Sequence, residues 1–146
     1  MNVPISVLLE RKGSAVHAIA PTLSVFEAVA EMNRLRIGAI VVLEGGKLAG
    51  IFTERDVLRR VVAEQRDPST TTVAEVMTTT VTTVKPDTDL DEVSAIMQQK
   101  KVRHLPVCDI AGRLHGMISI GDLNAWHLNT QEQTIHLLNE YLYGRV

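Results

Sequence analysis

Cysteine is almost absent from this chain. Cys108 stands alone in 146 residues, so no intramolecular disulfide can form. No cysteine–histidine set falls at zinc-ligand spacing. The five histidines, His17, His104, His115, His127 and His136, include no pair four residues apart. Cys108 closes the apolar run Leu105-Pro106-Val107-Cys108 and reads as a small core side chain rather than a nucleophile. This cysteine usage fits a reducing, cytoplasmic setting. Aromatic residues make up only 3 % of the chain, too few for a base-stacking platform. Neither sign of charge dominates, since 15 basic side chains face 17 acidic ones. A broad nucleic-acid-binding face, which needs a basic surface, is therefore not expected. Long apolar runs are missing too. The longest, Ala39-Ile40-Val41-Val42-Leu43, falls far short of the ~20 residues that a membrane-spanning helix needs. The first residues carry no basic start, and their apolar stretch stops at Glu10-Arg11-Lys12, so no signal peptide is expected.

What remains is 45 % apolar residues, enough to pack one small domain or two halves that share a core. The chain repeats itself. Pro21, Ser24, Glu27 and Met32 recur 65 residues later as Pro86, Asp89, Glu92 and Met97. After one extra residue in a glycine-containing turn, Gly50, Thr53 and Asp56 recur 66 residues later as Gly116, Ser119 and Asp122. Each half predicts the order β-α-β-β-α. A first short strand is expected at 16–19 and at 81–84. A helix follows, opened by Ser24 or Asp89 with a glutamate three residues on, which is a capping box. Its apolar stripe is Val25, Ala28, Val29, Met32 and Leu35 in one half, and Leu90, Val93, Ile96 and Met97 in the other. Two β-branched runs then form a hairpin, and a second helix begins at Thr53 or Ser119. The polar stretch 65–72 reads as the linker between the halves. The last helix is expected to run through Trp126 to Leu142, and its surplus of apolar positions suggests either packing back on the module or, in the reading preferred here, a self-association surface.

The residues with chemical potential are the two copies of Gly-x-x-(Thr/Ser)-x-x-Asp at strand-to-helix junctions. They are Gly50-Ile51-Phe52-Thr53-Glu54-Arg55-Asp56 and Gly116-Met117-Ile118-Ser119-Ile120-Gly121-Asp122. A hydroxyl residue followed three positions later by an acid is itself a helix cap. The same geometry suits a nucleoside phosphate. Free N–H groups and the positive dipole end favour a phosphate, while the carboxylate accepts from a pair of ribose hydroxyls. Glycine at the head of each motif leaves room where a ligand or a neighbouring backbone approaches.

Taken together, the duplicated order, the two motifs and the run Val102-Arg103-His104-Leu105-Pro106-Val107 resemble a pair of CBS domains, also called a Bateman module. The resemblance implies an α/β fold of two repeats, at 12–64 and 75–128, packed as one pseudo-twofold module, with a helical tail at 129–146. It implies regulatory, non-enzymatic binding of an adenosine ligand such as AMP, ADP, ATP, S-adenosylmethionine or NAD in clefts between the repeats. One cleft would join Thr53, Arg55 and Asp56 to Arg103, His104, Thr80 and Thr82. The other would join Ser119 and Asp122 to Gly38, Ala39 and the segment from Lys12 to His17. The first is expected to be the stronger nucleotide site, because Arg55, Arg103 and a protonated His104 would supply cations. The second has Gly121 where the first has Arg55. A homodimer or larger homo-oligomer and an unidentified effector protein are the expected partners. Nucleic acid, membrane and metal are not expected. The alternative is an interaction module whose clefts no longer bind a ligand.

Overall fold

Helix capping sets the frame in each half. Helix α2 (Val25–Leu35) starts where the Ser24 hydroxyl accepts the Glu27 N–H. Helix α5 (Leu90–Lys100) starts where Asp89 accepts the Asp91 N–H. Both end on a basic residue in the left-handed conformation, Arg36 and Lys101. The computed structural model describes residues 3–13 and 16–143.

The remaining elements come in chain order. Helix α1 (Ile5–Lys12) and strand β1 (Ala18–Ile19) precede α2. Strands β2 (Ala39–Glu44) and β3 (Lys47–Thr53) follow it, then a short helix α3 (Glu54–Asp56) that continues with π-helical bonding over Val57–Val62. Helix α4 (Val73–Val76) opens the second half. It is followed by α5, β4 (His104–Cys108), β5 (Leu114–Ser119) and the long α6 (Ile120–Tyr143). Strand β1 pairs parallel to β2, and β2 pairs antiparallel to β3. In the second half β4 and β5 form an antiparallel pair. The fold is thus mixed α/β, built twice.

The expected first strands come out shorter than the sequence suggested. Strand β1 is two residues long, and the stretch 81–84 forms only one parallel bridge, Val84 to Val107. Backbone chemistry accounts for the difference between the halves. Val41 has an N–H for the pairing with β1, whereas Pro106 stands at the matching position and has none. The ladder therefore stops at Val84, whose N–H reaches the Pro106 carbonyl at 3.1 Å and whose carbonyl takes the Cys108 N–H at 2.9 Å.

Two cores lie under the two sheets. Ile19, Val25, Ala28, Met32, Ile40, Val42, Phe52 and Val61 form the first together with Val73 and Val76 of α4. Leu90, Val93, Met97, Leu105, Val107, Ile118 and Leu123 form the second together with Ile5, Leu8 and Leu9 of α1. Each short leading helix therefore packs into the half that it does not immediately precede. Matching hydrogen bonds fix this exchange. Val73 N–H donates to the Leu23 carbonyl at 2.8 Å and Ala74 N–H to Pro21 at 3.0 Å. In the other half Ile5 N–H donates to Thr88 at 2.7 Å and Ser6 N–H to Pro86 at 3.0 Å. Arg11 at the end of α1 also stacks over the Trp126 ring of α6, 4.6 Å from its centroid. The sequence offered no sign of α1 as part of the second core, because its apolar residues lie outside the repeat.

The stretch 65–72 is more than a tether. The carbonyls of Pro68 and Thr71 accept the N–H groups of Phe26 and Val25, so this segment caps the first turn of α2, and Thr71 is buried. The two motif glycines serve the same exchange. A Cβ on Gly50 would stand 2.6 Å from the Thr78 carbonyl oxygen, and one on Gly116 would stand 2.8 Å from a Leu9 methyl. Both are close approaches of the leading segments rather than of a ligand.

Candidate functional site

Both motifs form the caps that their spacing suggests. Thr53 ends β3, its hydroxyl accepts the Asp56 N–H at 3.2 Å, and Asp56 Oδ2 accepts the Thr53 N–H at 3.0 Å. Ser119 ends β5, its hydroxyl accepts the Asp122 N–H at 3.1 Å, and Asp122 Oδ2 accepts the Ser119 N–H at 2.8 Å. Capping uses one carboxylate oxygen of each aspartate. The fate of the other oxygen distinguishes the sites. Asp56 Oδ1 accepts the Thr78 hydroxyl at 2.9 Å and has Arg60 Nε at 3.9 Å, and the residue is only 5 % exposed. Asp122 Oδ1 accepts no hydrogen bond among the described residues, and its side chain is 23 % exposed. Its Oδ2 takes a second donor, the Lys12 ammonium at 2.7 Å, which also donates to the Met117 carbonyl at 2.6 Å.

Each aspartate opens onto a cleft built from both halves. The Asp56 cleft is about 270 Å³, lined by Thr53, Glu54, Arg55 and Thr78 on one side and by Lys101, Arg103 and His104 on the other. The Asp122 cleft is about 550 Å³, lined by Ser119 and Met117 together with Lys12, His17, Arg36, Gly38 and Ala39. Gly38 and His104 line both, so the clefts share a wall. The larger volume lies within the range of about 300–1,000 Å³ typical of small-molecule sites, and the smaller lies just below it.

Most residues singled out from the sequence stand where the two clefts require them. Thr53, Arg55, Asp56, Arg103 and His104 meet in one, and Lys12, His17, Gly38, Ala39, Ser119 and Asp122 meet in the other. Thr80 and Thr82 do not line the first cleft. Thr80 is exposed, and the wall at this segment is Thr78, which an antiparallel bridge to Ile51 draws against β3. Ser14 and Ala15, inside the segment from Lys12 to His17, lie outside the described residues. Besides Thr78, three residues were not foreseen from the sequence. Arg60 donates to the Val76 and Met77 carbonyls and so closes the end of α4. Arg36 and Lys101 each bring a cation from the end of a helix to the cleft that carries the other half's aspartate. The signal for this pair was available, because two basic residues stand 65 positions apart, each two positions before a candidate site residue, Gly38 or Arg103.

The Asp122 cleft has fewer cations, as expected, but the net balance of the two clefts is the same. The Asp56 cleft has three permanent cations against two carboxylates, and the Asp122 cleft has two against one. His104 does not tip the balance. Its burial, helped by Lys12 and Arg103, holds its pKa below the ordinary histidine value, so the ring is neutral at neutral pH. For Asp122, burial pushes the pKa up. The Lys12 ammonium and the Ser119 donors outweigh it and hold the carboxyl below the ordinary aspartate value. The Cys108 thiol is pushed up by burial and by Asp109, which keeps it protonated and poorly nucleophilic. Among the described residues, no cluster of histidine, cysteine or acidic side chains could hold a metal ion. Among the same residues no helix is long and apolar enough to cross a membrane.

Two halves with one topology, two Gly-x-x-(Thr/Ser)-x-x-Asp junctions and two clefts between the halves define a class. The CBS domain profile matches residues 13–63 and 73–128, and the chain belongs to the CBS-domain family. It is 35 % identical over 126 residues to the mitochondrial CBS domain-containing protein CBSX3 of Arabidopsis thaliana, matching 83 % of this chain but spanning only 61 % of the plant protein. It is 34 % identical over 124 residues to the CBS domain-containing protein YhcV of Bacillus subtilis, covering 85 % of this chain and 87 % of the relative. In structure it resembles the CBS domain protein NE2398, with a TM-score of 0.83 and 38 % identity over 88 % of this chain and 99 % of the other. Two more distant structures share the fold and hold ligands. A CBS domain protein of Pyrobaculum aerophilum, at 24 % identity and a TM-score of 0.73, is complexed with AMP and aligns over 82 % of this chain and 89 % of its own. The CBS domain pair of MJ0100, at 22 % identity and a TM-score of 0.79, is complexed with 5′-methylthioadenosine and S-adenosyl-L-methionine and aligns over 89 % and 99 %.

Proposed function

We propose that this protein is a regulatory module that binds an adenosine-bearing ligand and signals its presence to a partner, with the Asp122 cleft as its principal site. The observation that carries this reading is the open Oδ1 of Asp122 in a cleft of about 550 Å³ whose walls come from both halves. A carboxylate oxygen without a donor suits a ribose hydroxyl, and Lys12 with Arg36 suits a phosphate or another anionic group. AMP, ADP, ATP and NAD all offer both parts. This ranks the Asp122 cleft above the Asp56 cleft, the reverse of the order expected from sequence, because Asp56 is buried and both its oxygens are engaged. The AMP and S-adenosylmethionine complexes of the two distant pairs support the ligand class. Binding between the halves stabilises one arrangement of them, and that arrangement is what a partner reads.

The module acts without catalysing a reaction, in a reducing compartment such as the cytoplasm, and as a homo-oligomer. Exposed Leu128, Ile135, Leu138 and Leu142 on α6 support self-association through that helix.

Thermal unfolding against AMP, ADP, ATP, NAD and S-adenosylmethionine, with inorganic phosphate as the control, tests the reading. A ligand of the native state at a hundredfold excess over its Kd adds about 2.7 kcal/mol and raises the midpoint. The expected result is a rise with an adenosine ligand that Asp122→Ala abolishes and Asp56→Ala leaves largely intact. No rise with any of them favours the second reading, a protein-interaction module with silent clefts. The internal satisfaction of Asp56 speaks for that reading in the smaller cleft.

A further inference from the structure

Lys12 occupies the carboxylate that a ribose would use. Its ammonium has three protons, and two are committed, one to Asp122 Oδ2 and one to the Met117 carbonyl. Asp122 Oδ2 already accepts the Ser119 N–H. A vicinal diol makes its best contact with a carboxylate by giving one hydroxyl to each oxygen. Oδ1 is open for the first hydroxyl, but the second must displace Lys12 from Oδ2. The displaced ammonium then sits in a partly buried cleft beside Arg36, which repels it. A neutral nucleoside offers it nothing in return. A nucleoside with an anionic group does, through a charge-assisted hydrogen bond.

Resting on the reading above, we propose that Lys12 makes the Asp122 cleft selective for nucleosides bearing an anionic group over neutral ones, by exchanging its bond to Asp122 for a bond to that group. The exchange is local and needs no refolding. Lys12 is the last residue of α1, and Gly13 follows it with a φ of 98°, while the anchor of α1 is its apolar face of Ile5, Leu8 and Leu9 in the second core. The side chain can swing while the helix stays in place. The Asp56 cleft has no such device, because Asp56 Oδ1 takes the Thr78 hydroxyl, and the Arg60 guanidinium 3.9 Å away is held on the Val76 and Met77 carbonyls.

The test compares AMP with adenosine by calorimetric titration of the full chain. The wild type is expected to bind AMP at least about tenfold more tightly, the discrimination that one charge-assisted contact supplies. Lys12→Met keeps the stem and removes the ammonium. It is expected to weaken AMP, to leave adenosine equal or tighter, and to bring the ratio within about threefold. Lys12→Arg is expected to retain most of the preference, which separates charge from packing. An unchanged ratio in Lys12→Met, with AMP binding still lost in Asp122→Ala, overturns this proposal alone. Binding of AMP that survives Asp122→Ala undiminished, or a wild type that binds neither compound, overturns it together with the reading on which it rests. Loss of the preference in Arg36→Met but not in Lys12→Met also overturns it and transfers the role to Arg36.

Discussion

The two halves share one design, yet they treat the same aspartate in opposite ways. Asp56 is sealed by Thr78, a residue of the segment just after α4, which leaves its helix early and joins β3 at Ile51. Asp122 is met by Lys12, because α1 stays helical through that residue and delivers an ammonium instead of a strand. A neutral hydroxyl in a buried pair is a structural bond. An ammonium on a partly exposed carboxylate is a bond that a ligand can compete for. Duplication copied the cap, and the leading segment decided which copy stayed open.

Three experiments sharpen or break this contrast. The largest effect belongs to the glycines. Gly50→Ala drives a Cβ against the Thr78 backbone carbonyl, which cannot rotate away, and is expected to destabilise by about 3 kcal/mol. Gly116→Ala meets only a Leu9 methyl at the end of a flexible side chain, and about 1 kcal/mol is expected. Denaturant midpoints measure both, and equal losses would break the asymmetry. Next come the aspartates without ligand. Asp56→Ala removes a cap and leaves the half-buried Thr78 hydroxyl without its acceptor, for a loss of about 2 kcal/mol. Asp122→Ala removes a cap and a partly exposed ion pair, for a loss of about 1 kcal/mol. A larger loss at Asp122 would mean that it, too, is chiefly structural.

The smallest effect is with pH. His104 has a folded pKa below the ordinary value of 6.5, so the unfolded chain takes up its proton first. Its contribution is complete above 6.5 and is lost as pH falls through the lower folded value. Asp122 behaves alike in a more acidic window, since its contribution is complete above 3.8 and is lost as pH falls through its depressed folded value. Thermal midpoints measured down to pH 5 should therefore fall in the wild type, and His104→Gln should remove part of that fall. A variant that follows the wild-type curve would show that His104 is not held neutral by the fold.

Much of this was legible in the residues themselves. Ser24, Asp89, Thr53 and Ser119 all became helix starts, because a cap is a local interaction between positions three or fewer apart. The hairpins followed from β-branched runs around glycine turns. Eleven of the thirteen site candidates that the family resemblance implied line the two clefts. What was hidden depends on contacts distant in sequence. Nothing near Thr78 announces its bond to Asp56, and although the resemblance put Lys12 in the Asp122 cleft, the direct ion pair between them was not foreseen. The ranking expected from sequence and the ranking proposed here differ because a count of charges does not show which carboxylate oxygens already hold a donor. The strand at 81–84 was overestimated for a backbone reason, the missing N–H of Pro106, which acts only through a pairing that the sequence does not display.

The crossing of α1 and α4 has a consequence for how the chain is made. Each half is completed by a helix that belongs by sequence to the other, an internal form of domain swapping. A growing chain cannot close its first core until Val73 and Val76 have emerged. Helix α1 is synthesised well before its partners Leu105, Ile118 and Leu123. Closure across that separation carries an entropic penalty and slows folding. Ile5, Leu8 and Leu9 thus lack these core partners until Leu105, Ile118 and Leu123 have been made. Cutting the chain in the 65–72 segment would yield two fragments that are each missing a piece of core, and the stable products would be pairs rather than single halves.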